Sequence, residues 1–241
     1  AYEIRNCDWS SDVCSSDLTI CVSNMRQLGY AVRLYADEHS DTLPLPGAKQ
    51  GRPTPADYEA DWVWGGPRRP IDPKDSSSWK NPLFGFRAEA GALFSYVMNE
   101  DRHDTIERNY TRSFPIYRCP DSGDLGAELR VNYSMNSWFT PGLRQAGKQS
   151  PLTEDKGMPL GAVYTPSQKI LFVNENPYNM SDAAFDPMNS ENSSAGMFIL
   201  HLGLVNASFL DGHVESVPQS TIFGVVKTGL TLDRHFDPLK F

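Results

Sequence analysis

The stretch from Cys21 to Pro44, CVSNMRQLGYAVRLYADEHSDTLP, constrains the fold more than any other part of the chain. Cys21, Met25, Leu28, Val32 and Tyr35 recur at alternating steps of four and three residues, which puts them on one face of a helix. Ala31 and Leu34 are expected to widen that face, leaving Arg26, Arg33, Asp37 and Glu38 in water. His39 falls in the expected last turn, where a cation suits the helix dipole, and Pro44 forbids any continuation. A lone amphipathic helix of this length is marginal in water, so its stripe needs a partner, most simply a sheet.

The remaining segments supply that sheet. From Leu43 to Pro82 the periodicity stops, because prolines at 44, 46, 53, 55, 67, 70, 73 and 82 remove backbone donors and fix φ. Trp62-Val63-Trp64 is the apolar point that tacks this long loop onto the body. Phe86 to Met98 returns to helix spacing through Ala90, Leu93, Phe94 and Val97. Tyr110 to Cys119 reads as a short strand ending at Pro120, and Val131 to Met135 as another, between polar stretches at 121–130 and 141–156. Lys169 to Val173 has the composition of a buried strand. Met197 to Leu200, Val205 to Leu210 and His213 to Val217 complete a meander, with Asp211-Gly212 as its hairpin signal. The expected class is α+β: a long N-terminal helix packed on a mainly antiparallel sheet, with a Pro-rich loop insertion. Ser220 to Lys227 fits a last helix or an edge strand equally well.

A net charge of −8 argues against a nucleic-acid surface, since phosphate binding wants a basic stripe. Residues Ala1 to Leu18 have neither an apolar run nor a period. Asp8 to Leu18 back-translates into a common sequencing adapter, and Ala1 to Ile4 into the matching indexing primer. Residues 1–18 are therefore expected to be a non-native, disordered leader. That leaves 19–241 as one domain: a helix over 19–42, the loop insertion over 43–82 and the head over 83–241. Cys7 and Cys14 go with the leader, so Cys21 and Cys119 are the native cysteines. They can make one disulfide in an extracytoplasmic protein, or stay as buried thiols.

Four ordered segments carry a family resemblance. Cys21-Val-Ser-Asn-Met-Arg-Gln-Leu-Gly29, with Tyr35-Ala36-Asp37 after it, resembles the segment that follows the membrane helix of bacterial prepilin-type proteins, the type II secretion and type IV pilus-like pseudopilins. His201, nine intervening residues and Asp211-Gly212 resemble the processing-associated signature of one subgroup. Tyr117-Arg118-Cys119-Pro120 and Asn132-Tyr133-Ser134-Met135-Asn136 resemble that subgroup's Cys-Pro and Tyr-x-x-Asn segments. The resemblance spans Thr19 to Pro218. It implies a structural subunit without catalysis, anchored in the inner membrane by a helix upstream of Thr19, with its head outside the cytoplasmic membrane in the cell envelope. Its implied partners are sibling pseudopilin subunits, met through the N-terminal helix, and its implied working residues are the stripe, His201, Asp211 and Gly212.

Metal chemistry has two candidate sets. His201, Asp211, His213 and Glu175 combine imidazole and carboxylate in the manner of a zinc site. G-type pseudopilins bind calcium in a C-terminal loop; here Asp182, Asp186, Asn189, Glu191 and Asn192 offer hard oxygens for calcium. Turn chemistry alone accounts for Asp211-Gly212, with the two residues as the paired turn positions.

Two other functions fit parts of the chain. Trp62 and Trp64 suit an extracytoplasmic module holding glycan or another ligand, although aromatics equally anchor a loop to the core. Ser77-Ser-Trp-Lys80, Ser134-Met-Asn136 and Lys227-Thr-Gly229 follow the order of the penicillin-binding and serine β-lactamase motifs. That chemistry needs Ser77 and Lys80 on one helix, which Pro82 opposes.

Overall fold

The computed structural model describes residues 12–47, 60–65, 86–102, 112–141, 157–175, 177, 180, 183–185, 187, 201, 204–218 and 234–240. Within them the chain is α+β. Helix α1 (Asp12–Glu38) lies on a five-stranded sheet, and a two-stranded pair, β1 (Trp64–Gly65) with β2 (Phe86–Arg87), sits apart from that sheet.

Helix α1 buries the stripe that its period demands. Cys21, Met25, Leu28 and Val32 are fully enclosed, and Ala31, Tyr35 and Ala36 are buried with them. Leu34 is a correction: it is half exposed, like Ile20 and Tyr30. At 100° per residue it stands roughly 140° from the centre of the stripe, too far round to share it. The helix stops at Glu38, as Ser40 and Asp41 turn into the left-handed region. His39 follows the last turn, its ring stacked 3.8 Å from that of Tyr35 and its Nδ1 2.8 Å from the Tyr35 carbonyl. At its other end the helix runs back to Asp12, through residues expected to be disordered; residues 1–11 lie outside the described residues.

The sheet comprises β3 (Tyr133–Asn136), β4 (Ile170–Asn174), β5 (Ala184–Phe185), β6 (Leu204–Phe209) and β7 (Val214–Pro218), in the order β5-β3-β4-β6-β7. Every pairing is antiparallel except β3 with β5, so the sheet is mixed. Strand β4 is covered on both faces, which is why Ile170-Leu-Phe-Val173 reads as an unbroken apolar run. Leu171 and Phe172 join the core beneath α1, whereas Ile170 and Val173 pack with Trp138, Phe185, Val205 and Phe236. Asn136 clamps that second layer: its amide nitrogen donates to the carbonyls of Ile170 (3.1 Å) and Phe236 (2.9 Å).

Local geometry departs from the expected elements in four places. Phe86 to Met98 is not one helix: it runs as β2, a single 3₁₀ turn (Ala88–Ala90) and a short helix α2 (Phe94–Met98). Gly91 is the break, packed so closely on Trp62 that a Cβ there would overlap the Trp62 carbonyl. The expected strand before Cys119 is a 3₁₀ turn (Pro115–Tyr117), started by a proline whose nitrogen cannot join a ladder. The polar stretch after Pro120 holds a helix, α3 (Gly123–Leu129), that buries Leu125 and Leu129 one turn apart. Residues 110, 197–200 and 220–227 lie outside the described residues.

The fourth departure is the β6–β7 hairpin. The Gly212 N–H donates to the Phe209 carbonyl (2.9 Å), so Leu210 and Asp211 are the central turn positions. Gly212 follows them at φ +98°. This is the three-residue loop with a left-handed residue at its end, not a two-residue turn built on Asp211 and Gly212. Asp211 stays out of the left-handed region, and its Oδ1 accepts the His213 N–H at 3.1 Å.

Candidate functional site

Four segments far apart in sequence meet beside the upstream half of α1. Cys21 comes from the helix. Cys119 comes from the turn between the 3₁₀ segment and α3, where its own N–H is held 2.6 Å from Asn132 Oδ1 and its carbonyl accepts from Ser122 Oγ at 2.7 Å. Tyr133 and Asn174 project from the paired ends of β3 and β4. His201 stands just ahead of β6 with φ at +20°.

The donor atoms of Cys21, Cys119 and His201 lie within 4.8 Å of one another, and all three residues are buried. His201 Nε2 is 3.0 Å from Cys119 Sγ. Its Nδ1 is 2.8 Å from Asp121 Oδ2, near enough for an ion pair although off the line of a good hydrogen bond. The Tyr133 hydroxyl (3.3 Å) and the Asn174 amide (3.5 Å) both donate to Cys21 Sγ.

These contacts decide the charges. Burial pushes the Cys21 thiol up, but hydrogen bonds from Cys119, His201, Tyr133 and Asn174 outweigh it and bring it down to about 4. Burial, together with the Cys21 sulfur beside it, holds Cys119 well above the usual thiol range. Burial lowers His201, yet its partners Asp121 and Cys21 raise it to about 9. The two sulfurs thus compete for one negative charge, which the surrounding donors favour at Cys21, and His201 is biased toward its protonated form beside them. Burial and the neighbouring Asp121 carboxyl also raise Asp17, one helical turn upstream of Cys21.

The two cysteines left open as a disulfide or as buried thiols are thus brought together, and neither is bridged. The set of His201, Asp211, His213 and Glu175 is not gathered, and this corrects the first metal expectation. Among the described residues the only cluster of three such ligands is Cys21, Cys119 and His201. Asp211 Oδ1 lies 2.5 Å from His213 Nδ1 on the partly exposed hairpin, and Glu175 is buried against the Ser134 hydroxyl. The register explains the split: the whole of β6 separates His201 from Asp211, so the ends of the motif lie at opposite ends of a strand. The calcium candidates Asp182, Asp186, Asn189, Glu191 and Asn192 lie outside the described residues.

Trp62 is fully buried, its ring 4.8 Å from that of Phe172 and its Nε1–H donating to the Ala183 carbonyl at 3.1 Å. It is an anchor to the core and offers no face to a sugar. Ser77, Lys80 and residues 227–229 lie outside the described residues, and Ser134 donates to Glu175 within the sheet. No local pattern marks Asn174 for this site, and the signal for Asp121 is its place directly after Cys119-Pro120. Among the described residues no helix is long and apolar enough to cross a membrane. Comparison of the chain with protein-family models, with curated proteins and with solved structures finds no match.

Proposed function

We propose that this chain is the head and lower stalk of a pseudopilin-like assembly subunit, carried in the cell envelope on an upstream membrane helix. One observation carries the proposal: the four segments that resemble the family's motifs contact one another. Tyr133 donates to Cys21, Cys119 meets His201, and Gly212 packs against α1, where a Cβ on Gly29 would lie 3.8 Å from the Gly212 Cα. Motifs matched by chance have no reason to meet in space. Both ends of the His201-to-Gly212 segment thus brace the same helix, as the head of a stalked subunit requires. The outward side of α1 carries Ile20, Tyr30 and Leu34, an exposed apolar line available to the stalk of a sibling subunit.

The test is the natural gene. The proposal expects the codons upstream of Thr19 to specify a short basic leader, a processing site and an apolar run of about 20 residues. A natural upstream sequence that is polar throughout, or that continues into another globular domain, overturns it.

A further inference from the structure

We propose that Cys21, Cys119 and His201 bind a single zinc ion that pins α1 to the head. The inference goes beyond the assembly reading and holds whether or not the chain meets sibling subunits.

The donor set selects the metal. Two cysteine sulfurs and an imidazole nitrogen are borderline-soft ligands, suited to zinc and poorly suited to calcium or magnesium. Tetrahedral zinc, with bonds of about 2.3 Å to sulfur and about 2.0 Å to nitrogen, separates its ligands by about 3.6–3.8 Å. The three donors lie within 4.8 Å of one another, with Cys119 Sγ and His201 Nε2 at 3.0 Å. The Cys119 and His201 donors would have to part by about 0.6 Å to reach ligand spacing.

The surroundings are also those of a metal site. His201 turns Nε2 toward the sulfurs and Nδ1 toward Asp121 Oδ2, 2.8 Å away. A carboxylate behind a ligating imidazole fixes the ring and raises its basicity. Tyr133 and Asn174 donate to Cys21 Sγ and so hold a thiolate ready for coordination. On binding, both sulfurs coordinate as thiolates and Nε2 gives its lone pair to the ion, and any protons carried by the two thiols or by Nε2 leave to solvent. Three protein ligands leave one position for water or an outside ligand. The ion would cross-link the chain at residues 21, 119 and 201, so its binding energy would add to folding.

The experiment uses the full chain, reduced and with both thiols confirmed free by titration. Zinc is measured by mass spectrometry after gel filtration, and cobalt(II) is titrated as a spectroscopic probe. The inference expects about one zinc per chain, and cobalt spectra with a thiolate-to-metal band in the near ultraviolet and tetrahedral bands in the visible. Cys119→Ser and His201→Gln should each weaken binding at least about tenfold, and Asp121→Asn by about tenfold through loss of the orienting carboxylate. His213→Ala should change nothing. Reduced wild-type protein that takes up neither metal overturns the inference, and so does uptake unchanged in both ligand variants or lost in His213→Ala. Absence of uptake by the reduced wild-type protein overturns the inference by itself, so a variant that fails to fold does not rescue it.

Discussion

Gly212 is a residue whose identity follows from backbone geometry. It sits at φ +98°, closes the β6–β7 loop by donating to the Phe209 carbonyl, and faces α1. An L side chain rarely adopts that φ, although the Tyr30 ring at 3.6 Å would leave room for a methyl group. Gly212→Ala should therefore cost about 1–2 kcal/mol through backbone strain, and Gly212→Asn less, because asparagine tolerates the left-handed region better. Urea denaturation followed by circular dichroism reads both, and equal losses in the two variants would mean that packing against α1, not φ, selects glycine. Asp211 has a different role from the one its sequence position suggests, since it organises His213 from an ordinary turn position.

The elements divide according to how local their signals are. The stripe on α1 was legible because a 3.6-residue period repeated over five positions reports one buried face, and β4 because a short apolar run between turns suits a strand covered on both sides. Helix α3 was not, since Gly123-Asp-Leu-Gly-Ala-Glu-Leu129 offers only Leu125 and Leu129 as large apolar side chains and resembles a solvated loop. The parallel pairing of β3 with β5 joins segments about 50 residues apart, and no local pattern encodes it. The candidate site fell between these cases. The sequence marks Cys21, Cys119 and His201 one by one, but its spacing groups His201 with its neighbours Asp211 and His213, and only the long-range fold moves it to the cysteines. Helix α1 offers a direct test of its two faces. Leu28→Ala, in a fully buried position, should lose about 2–5 kcal/mol of stability, whereas Leu34→Ala should stay within about 0.5 kcal/mol of wild type. Comparable losses for the two in the same denaturation assay would contradict the orientation of the helix.

At the scale of the whole molecule, helix α1 is bonded to the rest of the described residues along one side and carries exposed apolar side chains on the other. The inner side is secured at Cys21 by Tyr133 and Asn174, at Gly29 by the hairpin turn, and at Glu38 by the Tyr96 hydroxyl, 2.7 Å away. The other side leaves Ile20 and Leu34 half exposed and Tyr30 more so, although the Tyr30 ring also borders the hairpin turn at Gly212; the proposed packing of stalk against stalk would cover these side chains. The most direct measurement is photo-cross-linking in cells that carry the natural gene, with a benzophenone amino acid placed at Tyr30 or Leu34. An assembly subunit predicts adducts in the envelope fraction, to a second chain with a comparable amphipathic helix, and none from the same probe at Asp124 on the outside of the head. Protein recovered without adducts from either helix position, or cross-linked equally from Asp124, would contradict the account.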